Sequence, residues 1–257
     1  MSDLFELDGK RVLITGGAQG LGNMIAQEFL RRGAHVTITS RTAEDSSAAT
    51  AELGLIGSCT GLVADLSTIE GAVALADLVK ASGEPLHILI NNAGKSAGGP
   101  IERLPDISWP ELMSINVQTP FTLIRELLPL LREAAKPDDP ARIVNLGSFA
   151  GHALPLRPTY SYSASKAAVH HLTRMLAADL AASHITVNAV APGYFSTRMT
   201  SAIPKDHMDE MPEIVPLGRL GRPDDIAASC VYLCSRAGAY ITGILLPVDG
   251  GLSRARH

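Results

Sequence analysis

Short apolar runs alternate with amphipathic stretches along the chain. The runs are Arg11–Thr15, Ala34–Thr39, Gly61–Ala64, His87–Asn91, Arg142–Leu146, Ile185–Ala191 and Ile244–Val248. They are brief, rich in β-branched residues and apolar throughout, a pattern that predicts strands buried on both faces. Between them, Leu21–Arg32, Ala43–Leu53, Ile69–Ala81, Trp109–Ala135, Ser163–Ala182 and Asp224–Ser235 read as helices. Pro110 suits the first turn of the long fourth helix. Pro120 and Pro129 are expected to bend or shorten it. Strand–helix alternation predicts parallel strands with right-handed crossovers. The fold class expected is α/β: a doubly wound, seven-stranded parallel sheet with helices on both faces. One domain then spans residues 1–257. The stretch at about 193–222 is long and lacks clear strand signals. Its length fits a substrate lid or, less informatively, a surface excursion.

Composition narrows the function classes. Of 257 residues, 46% are hydrophobic and 19% charged, enough for a sizeable core and too little charge for a disordered chain. A formal net charge of −4 gives no general case for nucleic acid or an anionic membrane. No apolar run approaches the roughly 20 residues needed to span a bilayer. The start carries no signal-peptide pattern, and three cysteines are too few for a disulfide framework. A cytoplasmic location is therefore expected. Cys230 and Cys234 lie four apart on a helix, but no third ligand is near in sequence, so no metal is expected.

The chemistry begins at the first strand-to-helix turn, Thr15-Gly16-Gly17-Ala18-Gln19-Gly20-Leu21-Gly22. Glycine lets the backbone turn tightly and approach a bulky anion, and a helix N-terminus offers free N–H groups to a pyrophosphate. The spacing differs from the commoner G-x-G-x-x-G fingerprint. At the end of the second strand an acidic residue would bind the 2′-hydroxyl of NAD(H), whereas arginine would take the 2′-phosphate of NADP(H). This chain has Ser40 and Arg41 there, with no carboxylate before Glu44. NADP(H) is therefore expected ahead of NAD(H).

A second constellation lies on the fifth helix, in Tyr162-Ser163-Ala164-Ser165-Lys166. Residues four apart share a helix face. A lysine ammonium there would favour the phenolate and lower the tyrosine pKa, making Tyr162 a candidate general acid/base. Ser148 follows the fifth strand, at the end where open α/β sheets bind ligands.

In order along the chain stand the Thr15–Gly22 turn, Asp65, Asn91-Asn92-Ala93-Gly94, Asn116, Ser148, Tyr162-x-x-x-Lys166, and Pro192-Gly193 with Thr197. Over nearly its whole length this pattern resembles the short-chain dehydrogenase/reductase family. The resemblance implies a Rossmann fold and a carbonyl–alcohol oxidoreductase with Asn116, Ser148, Tyr162 and Lys166 as the catalytic set. It implies that Gly16, Gln19, Gly20, Leu21 and Gly22 hold the cofactor, with Ser40 and Arg41 at its ribose. Asp65 and Leu66 would meet the adenine, and Asn92, Ala93 and Gly94 would line the cofactor. Asn116 would hold a water that relays protons to Lys166, which also binds the nicotinamide ribose. Pro192, Gly193, Phe195 and Thr197 would pack on the nicotinamide. A homotetramer is implied as well.

Within the family the chain is similar to 3-oxoacyl-thioester reductases of the rhamnolipid-pathway type. The stretches that carry this are Leu127–Arg132, Arg174–Ala177 and Ala237–Tyr240. Reductases acting on acyl carrier protein usually place basic residues where this chain has Asp138-Asp139 and Ser183-His184. Acidic residues repel an acidic partner, so free ketones or coenzyme A thioesters are favoured over carrier-bound ones. Met199, Ile203, Met208, Met211, Ile214 and Val215 suggest an apolar pocket wall, or else packing of the lid on the domain. His170 and His171 are expected to serve packing or an interface. Two alternatives stay open: an alcohol dehydrogenase on steroids, sugars or cyclic alcohols, and a catalytically silent cofactor-binding regulator. The intact four-residue set favours an enzyme, because a pure binder needs no proton relay.

Overall fold

The computed structural model describes residues 3–197 and 211–254. Among these, seven strands form one sheet: β1 (Arg11–Ile14), β2 (His35–Ser40), β3 (Cys59–Val63), β4 (Ile88–Asn91), β5 (Ala141–Leu146), β6 (Ile185–Pro192) and β7 (Leu245–Val248). All pairings are parallel, in the order β3-β2-β1-β4-β5-β6-β7. The chain runs outward from β1 to β3, then returns to place β4 beside β1. That reversal opens a crevice at the carboxyl ends of β1 and β4.

Consecutive residues in each central strand feed opposite cores, because side chains alternate across a sheet. Ile14, Ile90 and Val144 join one hydrophobic cluster with α1 (Gly20–Arg31), α2 (Ala43–Gly54) and α7 (Pro223–Cys234). Their neighbours Leu13, Leu89 and Ile143 join the other, with α3 (Ile69–Lys80), α5 (Thr119–Ala134) and α6 (Tyr160–Leu180). Strands β4, β5 and β6 are buried throughout. The expectation of burial on both faces fails at β3 and β7, whose residues are half-exposed or open. They are the sheet edges and have a neighbour on one side only.

The expected single helix Trp109–Ala135 is divided. Helix α4 (Ser108–Met113) passes through a π turn at Ser114–Gln118 into α5. Pro120 lacks the N–H that an α-helix would send back to the Asn116 carbonyl, which accounts for the wider turn there. Pro129 lies inside α5 without ending it. Threonine side chains start α2 and α3: Thr42 accepts from the Asp45 N–H and Thr68 from the Gly71 N–H, each at 3.1 Å.

Candidate active site

The glycine turn after β1 is held from three sides. The Gly16 N–H donates to Thr39 Oγ1 at 3.0 Å. Asn92 Nδ2 donates to the carbonyls of Thr15 (2.8 Å) and Gly16 (3.1 Å). Thr15 Oγ1 accepts from the N–H groups of Asn92 and Ala93. Gly16 and Gly20 adopt φ of +63° and +58°, which favours glycine. Gly22 has a different use: a Cβ there would lie 2.6 Å from the Gly16 carbonyl oxygen, so it permits close packing of α1 on the turn.

Gly16, Gln19, Gly20, Leu21, Ser40, Arg41, Leu66, Asn92, Ala93, Gly94, Tyr162, Lys166 and Thr197 line one cleft. The donor set fits a dinucleotide. The cleft takes in the N-terminus of α1, whose first turn has no acidic residue. At the end of β2, Ser40 Oγ donates to the Thr42 carbonyl at 2.7 Å, and Arg41 makes no ion pair among the described residues. Asp65 Oδ1 accepts from the Ser67 hydroxyl and N–H, which hold its carboxyl below the usual range, with smaller help from Lys95 and Arg41.

Ser148 and Lys166 sit at the carboxyl end of β5. Lys166 Nζ donates to the Leu146 carbonyl at 2.7 Å and lies 5.7 Å from the centre of the Tyr162 ring. Burial pushes its pKa down to about 8. The Tyr162 phenol moves opposite to the expected direction. Burial raises it, and only a hydrogen bond with Ser148 pulls it back. A phenol raised in this way stays protonated at neutral pH and is available as an acid.

The Asn116 side chain is fully engaged as a donor. Its Nδ2 donates to the Lys95 carbonyl (3.0 Å) and to Ser165 Oγ (2.9 Å), while Oδ1 accepts from the Lys95 N–H. The carboxamide ties α6 to the segment after β4.

The family model for enoyl-(acyl carrier protein) reductases matches residues 16–253. The chain belongs to the short-chain dehydrogenase/reductase family. A rhamnolipid-biosynthesis 3-oxoacyl-[acyl-carrier-protein] reductase of Pseudomonas aeruginosa is 44% identical over 98% of this chain and 99% of its own length. An L-tagatose-forming galactitol 2-dehydrogenase of Cereibacter sphaeroides is 37% identical over 96% of both chains. Among solved structures, the Pseudomonas aeruginosa RhlG/NADP active-site complex superimposes with a TM-score of 0.95 at 43% identity, covering 98% of this chain and all of that one. As a family member the chain is an NAD(P)-dependent oxidoreductase acting on CH–OH and C=O groups.

Several residues expected at the family's cofactor site stand back from the cleft lining. Pro192 ends β6, and the Gly193 N–H pairs with the Val248 carbonyl at 2.9 Å. The Phe195 ring is buried against Gly221, where no side chain would fit, so it packs on the segment before α7 and is not among the cleft-lining residues. At the start of α7, Arg219 grips both carboxylate oxygens of Asp225 at 2.6 and 3.0 Å. Val215 is buried with Phe149 and Leu252, Ile214 packs on that group, and Met211 is buried. All three pack within the domain, and Val215 also lines a second cavity with Tyr194, Phe195 and Leu217. Met199, Ile203 and Met208 lie outside the described residues.

Thr39, Asp45, Lys95 and Ile115 also line the cleft, and no local motif in the sequence marks them. Thr39 looked like any β-branched strand residue. Asp45 brings a carboxylate to the ribose end from inside α2, beyond a count made at the strand end. Of the acidic pair, Asp139 is bonded to Lys10, leaving Asp138 exposed.

Proposed function

We propose that this enzyme is an NADPH-dependent ketone reductase whose substrate is a 3-oxoacyl thioester. The observation that carries the reading is that Tyr162 and Lys166 line the cleft that begins at the glycine turn, with Ser148 hydrogen-bonded to Tyr162 behind it. The residues from Gly16 to Leu21 would hold the pyrophosphate. Ser40 and Arg41 would meet the 2′-phosphate, Asp65 and Leu66 the adenine, and Asn92 to Gly94, Lys166 and Thr197 the nicotinamide end. The bound nicotinamide supplies the hydride. Tyr162 gives its proton to the substrate oxygen, and the Ser148 hydroxyl steadies that oxygen. The Lys166 ammonium stabilises the phenolate left behind. Asn116 fixes the distance between α6 and the segment after β4.

The acyl chain is suggested by exposed apolar groups on the loop joining Ser148 to Tyr162. Leu154 is 85% exposed and Leu156 43% exposed. Coenzyme A thioesters are favoured over carrier-bound ones, because positions 138, 139, 183 and 184 lack basic residues. The reading includes one domain over residues 1–257 with a lid at about 193–222, a homotetramer, and a cytoplasmic location. No helix among the described residues is long and apolar enough to cross a membrane.

The test is a panel of 3-oxoacyl-coenzyme A esters, their carrier-protein forms, sugars, steroids and cyclic ketones, each with NADPH and NADH. Fastest NADPH consumption on the coenzyme A esters is expected. Faster turnover of a sugar or a carrier-bound ester would displace that substrate. A Ser40→Asp variant should exchange NADPH use for NADH use, with NADPH efficiency falling on the order of 10- to 100-fold, as for one charge-assisted hydrogen bond. Unchanged NADPH efficiency would reject the cofactor assignment.

A further inference from the structure

A buried histidine lies directly behind Ser148. The sheet ladder between β5 and β6 runs out at Gly147, whose N–H pairs with the Val190 carbonyl at 2.7 Å. The next N–H, that of Ser148, has no strand to bond. It donates instead to Nε2 of His170 at 3.3 Å, inside the protein. His170 is 4% exposed and lies one helical turn beyond Lys166 on the same face of α6. Its neighbour His171 is exposed.

The turn is moulded to the ring. A Cβ on Gly147 would collide with Nε2 of His170, and one on Gly151 would lie 2.6 Å from its Cε1. The two glycines that flank Ser148-Phe149-Ala150 are therefore glycines where the imidazole leaves no room. Within the turn, Ser148 Oγ accepts from the Ala150 N–H at 3.2 Å, and the Ser148 carbonyl accepts from the Gly151 N–H at 3.0 Å. The backbone and hydroxyl of Ser148 are thus fixed together.

We propose that His170 is a positioning residue: it seats the Gly147–Gly151 turn so that the Ser148 hydroxyl meets Tyr162 and the substrate oxygen. The inference rests on the reading of Ser148 given above. It requires a neutral imidazole with its proton on Nδ1, since Nε2 accepts. The charged and titratable groups around it oppose protonation. Burial comes first, followed by His152 from the loop after the turn and by Lys166 and Arg174 on α6. Together they hold its pKa down at about 3. His152 stands with its ring centre 5.7 Å away.

His170→Leu removes the acceptor, and His170→Gln supplies a carboxamide oxygen in its place. Each is compared in the full-length enzyme, with NADPH and the fastest ketone of the panel, alone and combined with Ser148→Ala. A misplacement of about 1 Å can cost on the order of 100-fold, so His170→Leu should lower kcat by roughly that factor while the KM for NADPH stays within about twofold. His170→Gln should recover most of the loss, and His170→Leu should add nothing in the Ser148→Ala background. Equal losses in both backgrounds, or a folded glutamine variant as slow as the leucine one, would overturn the proposal. Full turnover by Ser148→Ala would instead reject the reading of Ser148. Should the leucine variant fail to fold, nitrogen NMR of the wild-type imidazole decides. Nε2 unprotonated and Nδ1 protonated at neutral pH is expected, and the opposite tautomer overturns the assignment.

Discussion

The two ends of β5 each hold a buried cation, and they treat it differently. At the amino end, the Arg142 side chain is 2% exposed. Its Nη2 donates to the Ser235 carbonyl at 3.2 Å and lies 3.7 Å from Asp139. Its Nε and Nη1 have no hydrogen-bond partner among the described residues. At the carboxyl end, Lys166 reaches the Leu146 carbonyl and faces Tyr162. Burial lowers the pKa of both. Arginine starts so high that it stays charged, whereas the lysine at about 8 comes within reach of neutral pH. Burying a cation is costly at either end. Only at the carboxyl end does the cost produce a group beside a proton donor.

Three changes separate the two ends. The largest effects are expected at the carboxyl end. Ser148→Ala should lower kcat on the order of 100- to 1,000-fold, as for loss of one donor to a developing oxyanion, with the melting temperature little changed. Steady-state kinetics beside thermal melts would check both parts.

Lys166→Met comes next and reads the lysine's pKa through stability. The folded pKa of about 8 lies below the unfolded value of 10.5, so the unfolded chain binds more protons between them. Wild-type stability should therefore rise across that window, by at most roughly 3 kcal/mol, relative to the methionine variant. Below about pH 8 the variant should melt higher than wild type, and the gap should close towards pH 10.5. A gap independent of pH would mean that the lysine is not desolvated. Arg142→Met should have the smallest effect. A buried ion replaced by an apolar side chain of similar size should leave stability unchanged or raise it by about 1 kcal/mol, with kcat unaffected. A large loss would show that the contacts with the Ser235 carbonyl and Asp139 outweigh the cost of burying the charge.

The same contrast explains what could be read from the sequence. Strands and helices were legible because their apolar period is local, and the edge strands were not, because burial depends on which strand ends up outermost. The glycine turn and the Tyr162–Lys166 pair were legible because each is fixed within one turn or one helical repeat. The direction of the Tyr162 shift was not, since burial by the surrounding fold outweighs the one lowering contact, the hydrogen bond with Ser148. The role of His170 was hidden because its partner is 22 residues away, behind a turn. The π turn had a readable signal, Pro120 four residues after Asn116, and the disturbance expected at that proline takes the form of this turn.

The central claim is that Tyr162 is the proton donor at the carboxyl end of β5. Turnover and NADPH binding by Tyr162→Phe test it most directly. Loss of a positioned acid costs about 100- to 10,000-fold, so turnover should all but vanish while NADPH binding, followed by its fluorescence, stays close to wild type. Near-full turnover by the phenylalanine variant would contradict the account.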